Sequence, residues 1–136
     1  MLRRFAILGL FTSAILLGDV IAGSVALADE ASTLDTKLTK LGYAQGDVVD
    51  NIRDYRIDGW NYLDDKHIMI YSGASSRTLI TLQTSCYELS GAENLGFSTT
   101  ARNLTKFDKV VVRGPGGIPR QCQISEIRQL NSTKNK

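Results

Sequence analysis

The residues of this chain that could do chemistry concentrate in positions 57–71, a stretch that holds its only tryptophan and its only histidine. Asp64, Asp65 and His67 lie close together there. Carboxylates and an imidazole can share proton transfer near neutral pH or ligate a cation. Because successive strand residues point to opposite faces, Asp65 and His67 are expected to converge while Asp64 points away. Two side chains are few for an active site, so we predict a solvated turn and keep Asp65 and His67 as an alternative polar site.

Aromatic residues of the same stretch form a second candidate. Trp60, Tyr62 and Tyr71 carry large rigid rings, and such rings dominate the energetics of binding surfaces. Packing in the hydrophobic core explains the same residues. Both roles stay open, and we treat the three rings as a recognition surface to be tested by their exposure.

Arginines flank a glycine-rich segment near the end of the chain. Arg113 and Arg120 stand on either side of residues 114–117 and could clamp an anion, or they could simply end two exposed strands. A phosphate-binding loop would require a following Lys-Ser/Thr pair and a helix, and the sequence provides neither. We predict a hairpin loop here.

Two cysteines, Cys86 and Cys122, are predicted to form a disulfide. The bond would close a loop of about 37 residues and stabilise the fold by about 4 kcal/mol in the chain-entropy model. A single histidine and the lack of a second cysteine pair argue against a metal centre or a catalytic thiol. We therefore assign no catalytic residue, no metal and no cofactor.

The N-terminal segment has the pattern of a secretory signal peptide. Arg3 and Arg4 precede an uncharged apolar run at residues 5–18, and the sequence Ala-Leu-Ala at residues 26–28 is typical of a cleavage site. The run is too short to span a bilayer comfortably. We therefore predict a signal peptide at residues 1–28, a periplasmic or secreted product, and no stable membrane anchor after cleavage.

Cleavage after Ala28 leaves 108 residues with 14 basic and 13 acidic side chains, a net charge of +1. This near-neutral balance argues against a nucleic-acid partner, which usually selects a clearly basic face. The length fits one domain. We predict an N-terminal helix and linker at residues 29–46, a single β-rich domain at 47–130 and a disordered tail at 131–136.

The elements that position these residues are mostly strands. Leucines spaced by four and three positions predict a short amphipathic helix at residues 32–41. A hairpin turns at residues 64–66, and Val110-Val111-Val112 is the strongest strand signal. The isoleucines after Cys122 break strict alternation, which predicts a bulge near Ser125. The predicted fold is mainly β: an antiparallel sheet of five or six strands, curled towards a barrel, with one N-terminal helix and one disulfide.

Four segments carry a family likeness: residues 55–65 around Trp60, the strand at residues 78–82 before Cys86, residues 107–112, and the Cys-x-Ile-x-x-Ile ending at residues 122–127. Together they resemble a family of small exported Gram-negative proteins that is catalogued only as a domain of unknown function. The likeness covers about residues 40 to 130. Some members look like lipoproteins, but this chain lacks the attachment cysteine. The resemblance supports the periplasm and the paired cysteines and implies no activity.

We therefore expect a non-enzymatic binding or structural module whose partner is a protein or an envelope component. Two alternatives stay open: a small hydrolase or metal-dependent enzyme that uses Asp65 and His67, and an inhibitor of a secreted enzyme. The inhibitor alternative depends only on the format of a small disulfide-bonded domain. The sequence sets no oligomeric state.

Overall fold

A computed structural model describes residues 25–53, 55–99 and 101–134 of the chain. The predicted signal peptide lies outside these residues, apart from positions 25–28, which open an α-helix. The elements in chain order are α1 (Val25–Leu41), β1 (Tyr43–Val48), β2 (Asn51–Ile52), β3 (Gly59–Asp64), β4 (His67–Ser72), β5 (Ser76–Leu82), a 3₁₀ helix (Tyr87–Gly91), β6 (Asn94–Phe97), β7 (Leu104–Thr105), β8 (Lys109–Arg113) and β9 (Pro119–Ser132).

The sheet confirms the predicted fold class. Six antiparallel strands follow one hydrogen-bonded path in the order β3-β4-β5-β9-β8-β6, and the sheet curls into a half-barrel. β1 joins the same sheet through β9, and β2 pairs with β7 in a small separate ribbon. Among the described residues, no helix is long and apolar enough to cross a membrane.

The longest strand, β9, is the centre of this sheet. Residues 124–129 pair with β5, whereas residues 119–123 pair with β8 and residues 128–132 pair with β1. The N–H of Gln83, just after β5, donates to the carbonyl of Gln123, whereas the N–H of Ile124 donates to the carbonyl of Asp108, just before β8. Because the C=O and N–H of this one peptide unit point in opposite directions, β5 and β8 lie on opposite edges of β9. β8 and β1 therefore follow one another along the same edge.

Both faces of the sheet bury apolar side chains because neighbouring strand residues point to opposite sides. The larger core lies on one face and includes Ile68, Ile70, Ile80, Leu82, Leu89, Leu104, Val110, Val112, Ile124, Ile127 and the disulfide. The smaller core lies on the opposite face beneath α1 and consists of Leu34, Leu38, Leu63, Met69, Leu79 and Leu130. The central strands therefore have continuous rather than alternating hydrophobic sequences.

Helix α1 covers the smaller core through one stripe of side chains. Leu34 and Leu38 are buried as the leucine spacing predicted, but Leu41 at the end of the helix stays partly exposed. The helix also begins earlier than residue 32. It ends at Gly42, whose φ of 86° is a left-handed conformation that suits a helix terminus.

The segment after the helix differs most from the prediction. Residues 43–48 form β1, although a linker was predicted up to residue 46. β9 continues through Ser132, so Asn131 and Ser132 belong to a strand and not to a disordered tail. β1 pairs with the end of β9 through backbone hydrogen bonds. The polar side chains of both segments gave no indication of this pairing in the sequence.

The predicted bulge in β9 is confirmed, and two other local features shape the sheet and its surroundings. The residues around Leu89 form a helical turn, observed as the 3₁₀ helix. β9 shifts register opposite β5 at Ser125, where the bulge was predicted. Gly59 allows a close approach, because a Cβ atom there would lie 3.0 Å from the ring of Tyr71 on the paired strand.

The predicted disulfide joins Cys86, just before the 3₁₀ helix, to Cys122 in β9, with a Cα–Cα distance of 6.2 Å. Both cysteines are buried in the larger core. The bond therefore ties the loop after β5 to the central strand and closes one end of the half-barrel.

Replacing both cysteines, Cys86→Ala with Cys122→Ala, should lower the free energy of unfolding by about 4 kcal/mol, because the unfolded chain regains the entropy of a loop of this length. Urea unfolding of the double variant and the wild type measures the difference. A loss below about 1 kcal/mol would contradict a stabilising role for the bond.

Candidate functional site

The single histidine lies at the start of β4, directly after the two-residue turn Asp65-Lys66. Its Nδ1 atom lies 2.8 Å and 3.0 Å from the two carboxylate oxygens of Asp64. The backbone N–H of Lys66 also donates to Asp64, at 2.8 Å. The structure therefore pairs His67 with Asp64, whereas the sequence analysis expected Asp64 to point away and Asp65 to converge.

A register irregularity explains this pairing. In a regular hairpin Leu63 would face His67, because Tyr62 pairs with Ile68. The register shifts between Tyr62 and Asp64 and places Asp64 opposite His67 instead. Leu63 remains buried in the smaller core beneath α1.

The contact with His67 lowers the pKa of the Asp64 carboxyl group. Partial burial acts to raise the pKa of Asp64, but the hydrogen bonds from His67 and the Lys66 backbone, together with the charges of His67 and Lys37, bring the pKa below its usual value of 3.8. An ionised Asp64 accepts a hydrogen bond from Nδ1–H, and in the neutral tautomer that makes this bond Nε2 carries the free lone pair. Within residues 25–53, 55–99 and 101–134, the hydrogen bonds of the His67 ring are those to Asp64.

Asp65 has a different partner on the other side of the turn. Its carboxylate accepts a hydrogen bond of 2.8 Å from the hydroxyl of Tyr62. This bond, followed by burial and the nearby carboxylates, raises the pKa of Tyr62 to about 12. Asp65 and His67 nevertheless line one pocket of about 250 Å³, together with Thr33, Lys37, Asp64, Lys66 and Ser85.

A second pocket, of about 310 Å³, lies on the other side of His67. Thr81 and Glu126 form its floor because they follow His67 in one row across β4, β5 and β9. Ala31, Leu34, Gln45 and Ser125 complete its lining. His67 is thus a wall shared by the two pockets, and its side chain is 16% exposed.

A third pocket, of about 500 Å³, meets the second at Ser125. The bulge in β9 places Ser125 at this junction, where its hydroxyl donates to the backbone carbonyl of Thr81 at 3.2 Å. The rest of the third pocket is lined by Gln83, Lys106, Phe107, Gln123 and Ile124. His67 lines both the first and the second pocket, and Ser125 lines both the second and the third; we call this row of three neighbouring pockets the polar groove.

Phe107 stands at one end of the polar groove and is 80% exposed. The turn that carries it is fixed: the carboxylate of Asp108 accepts hydrogen bonds from the backbone and hydroxyl of Thr105, at 2.7 Å and 2.9 Å. The side-chain amide of Gln123 in β9 donates to the carbonyls of Lys106 and Asp108. A solvent-exposed ring is therefore held on a braced turn.

The predicted aromatic surface divides between the two faces of the sheet. Trp60 packs against the larger core, whereas Tyr71 packs against the smaller one and carries the Arg77 guanidinium 4.5 Å from its ring centre. Tyr62 shares the face of Trp60 and is 43% exposed. The structure therefore does not bring the three rings onto one surface.

The two predicted anion-binding arginines also lie on different faces. Arg120 pairs with Val112 in the register of β8 and β9, and Arg113 is the next residue along β8, so its side chain points to the opposite side. Arg120 instead forms an ion pair of 3.5 Å with Glu88. Glu88 lies close to the sulfur atoms of Cys86 and Cys122, but the disulfide leaves no thiolate there to bind a metal.

Three residues of the polar groove were not predicted as site residues. Phe107 received no role, although an aromatic residue between Lys106 and Asp108 in a turn is a signal of exposure. Asp64 was set aside because strand alternation was assumed to hold up to the turn. Ser125 was noticed only as part of a bulge.

The family model of DUF6491, described as a family of unknown function, matches residues 4–136 of the chain. No curated protein and no solved structure matches this chain. The match agrees with the resemblance drawn from the tryptophan segment and the cysteine-containing ending.

The carboxyl group of Asp64 should titrate below 3.8 in the folded protein. Carboxyl ¹³C NMR measures this pKa directly. His67→Ala removes the hydrogen bond to Nδ1 and should raise it, whereas His67→Asn offers a replacement donor and should raise it less. An unchanged pKa in His67→Ala would contradict the pairing.

The lowered pKa of Asp64 also makes the free energy of unfolding depend on pH. Because the pKa of Asp64 is lower in the folded than in the unfolded chain, its contribution to the free energy of unfolding is present above pH 3.8 and is lost as the pH falls through the folded value.

Proposed function

Because this chain belongs to DUF6491, a family of unknown function, its role has to be inferred from its own residues, and we propose that it is an exported, non-enzymatic module that binds a component of the cell envelope. The observation that carries this proposal is the polar groove, in which three pockets are joined through His67 and Ser125. An elongated groove with convergent polar groups suits a ligand that lies across the sheet.

Export is supported by the sequence at the N-terminus and by the disulfide. The basic residues, apolar run and Ala-Leu-Ala sequence of residues 1–28 are typical of a signal peptide. Disulfides persist mainly in oxidising compartments such as the periplasm, and Cys86 and Cys122 are bonded to each other. A ligand of the polar groove would therefore be met outside the cytoplasm.

A binding role fits the polar groove better than catalysis does. Hydrolysis by an imidazole requires a nucleophile or a positioned water next to the free ring nitrogen. In the part of the chain that the structure describes, Asp64 orients His67, but no hydroxyl is hydrogen-bonded to its ring. The oriented imidazole favours one second candidate, a hydrolase in which His67 is the base and Asp64 its orienting partner.

The proposal is tested by a substitution that blocks the polar groove at Ser125, where the second and third pockets meet. Ser125 is exposed, so Ser125→Trp can place a large ring between the second and third pockets without disturbing a core. The disulfide-bonded protein should co-sediment with isolated cell envelopes, and Ser125→Trp should raise the envelope concentration needed for half-maximal binding at least about tenfold, equivalent to about 1.4 kcal/mol.

Ser75→Trp is the matched control, because Ser75 is exposed in the turn between β4 and β5, at the opposite end of these strands from His67. Both variants should keep the melting temperature of the wild type. Equal binding by Ser125→Trp and the wild type would refute the proposal. Release of soluble fragments from the envelope that stops in His67→Ala would assign the polar groove to the hydrolase instead.

A further inference from the structure

We infer that the polar groove recognises a neutral, linear oligosaccharide chain and that Phe107 is the platform on which one sugar ring stacks. This inference names the ligand class for the proposed binding function and rests on it. Three properties of the polar groove lead to it: its charge balance, its hydrogen-bonding side chains and its rigid aromatic end.

The charges that line the polar groove cancel. Three lysines are matched by three acidic residues, and these six are Lys37, Lys66, Lys106, Asp64, Asp65 and Glu126. An anionic polymer would be repelled by the carboxylates, and a cationic one by the ammonium groups. A ligand without net charge meets neither penalty.

Neutral hydrogen-bonding groups occupy the middle of the polar groove. Gln45, Thr81, Gln83 and Ser125 supply amide and hydroxyl side chains, each of which can donate and accept. The side chain of Gln83 has no hydrogen-bond partner among the residues that the structure describes. Sugar hydroxyls are both donors and acceptors, so a chain of them can satisfy such a surface where an apolar ligand would leave it unpaired.

Phe107 offers an exposed aromatic ring next to these groups, and the Lys106 ammonium lies 5.5 Å from the centre of that ring. The face of an aromatic ring carries partial negative charge and attracts the polarised C–H groups on one side of a sugar ring. The hydrogen bonds of Asp108 and Gln123 fix the backbone of the turn, so little backbone entropy remains to be lost on binding. A braced and solvent-exposed ring has the properties of a binding anchor.

An extended peptide fits the polar groove less well. Peptides gain affinity chiefly by pairing with a free strand edge. β5 is paired on both sides, with β4 and β9, and β9 is paired with β5 on one edge and with β8 and β1 on the other. On its second edge β9 lacks a strand partner only at residues 124–127, and the backbones of Ile124 and Ile127 are already bonded to Asp108 and Val49, which leaves too short a segment for an added peptide strand.

The inference is tested by isothermal titration calorimetry of the disulfide-bonded protein with three neutral hexasaccharides: chitohexaose, cellohexaose and maltohexaose. At least one should bind, and Phe107→Ala should weaken that binding about tenfold or more, the loss expected for an aromatic anchor. Tyr87→Ala is the matched control because Tyr87 is 72% exposed but does not line the polar groove, and its affinity should equal that of the wild type.

Two results would overturn the inference: no heat of binding with any of the three hexasaccharides, or equal affinity of Phe107→Ala and the wild type. The envelope experiment separates this failure from failure of the proposed function. Envelope binding that Ser125→Trp abolishes, without any saccharide binding, would keep the binding role and reject the ligand class. Loss of both would reject the two together.

Discussion

The backbone pairing of β9 is the interaction on which the rest of this structure depends. This one strand hydrogen-bonds to β5 along one edge and to β8 and β1 along the other. It also carries Cys122, so the disulfide anchors the 3₁₀ helix to the same strand. Both hydrophobic cores include side chains of β9, and loss of its pairing would expose both.

The candidate site arises where this regular pairing is interrupted. The register shift before Asp64 directs a carboxylate to His67, and the bulge in β9 exposes Ser125 between two pockets. Bulges commonly redirect side chains next to functional sites. The two irregularities lie near the same end of β4 and β5, because His67 pairs with Thr81, and they place the three pockets of the polar groove next to one another.

Much of the fold could be predicted from the sequence because side-chain patterns report burial directly. The valines of β8, the hairpin at the Asp65-Lys66 turn and the disulfide all follow from local composition or redox chemistry. β1 could not be predicted, because its polar residues are held by backbone pairing with a distant segment. The Asp64–His67 pair was missed for a related reason: the two-residue period fails at a register shift.

Recognition through the polar groove can be tested most directly by hydrogen exchange mass spectrometry in the presence and absence of isolated envelopes. Bound ligand should slow exchange together in four strand and turn segments that contribute lining residues, which are residues 64–67, 81–83, 105–108 and 123–126. Protection of all four segments, with no change in the β4–β5 turn, is the result that the proposed site predicts. Protection confined to the 3₁₀ helix or to the outer edge of β6 would contradict it.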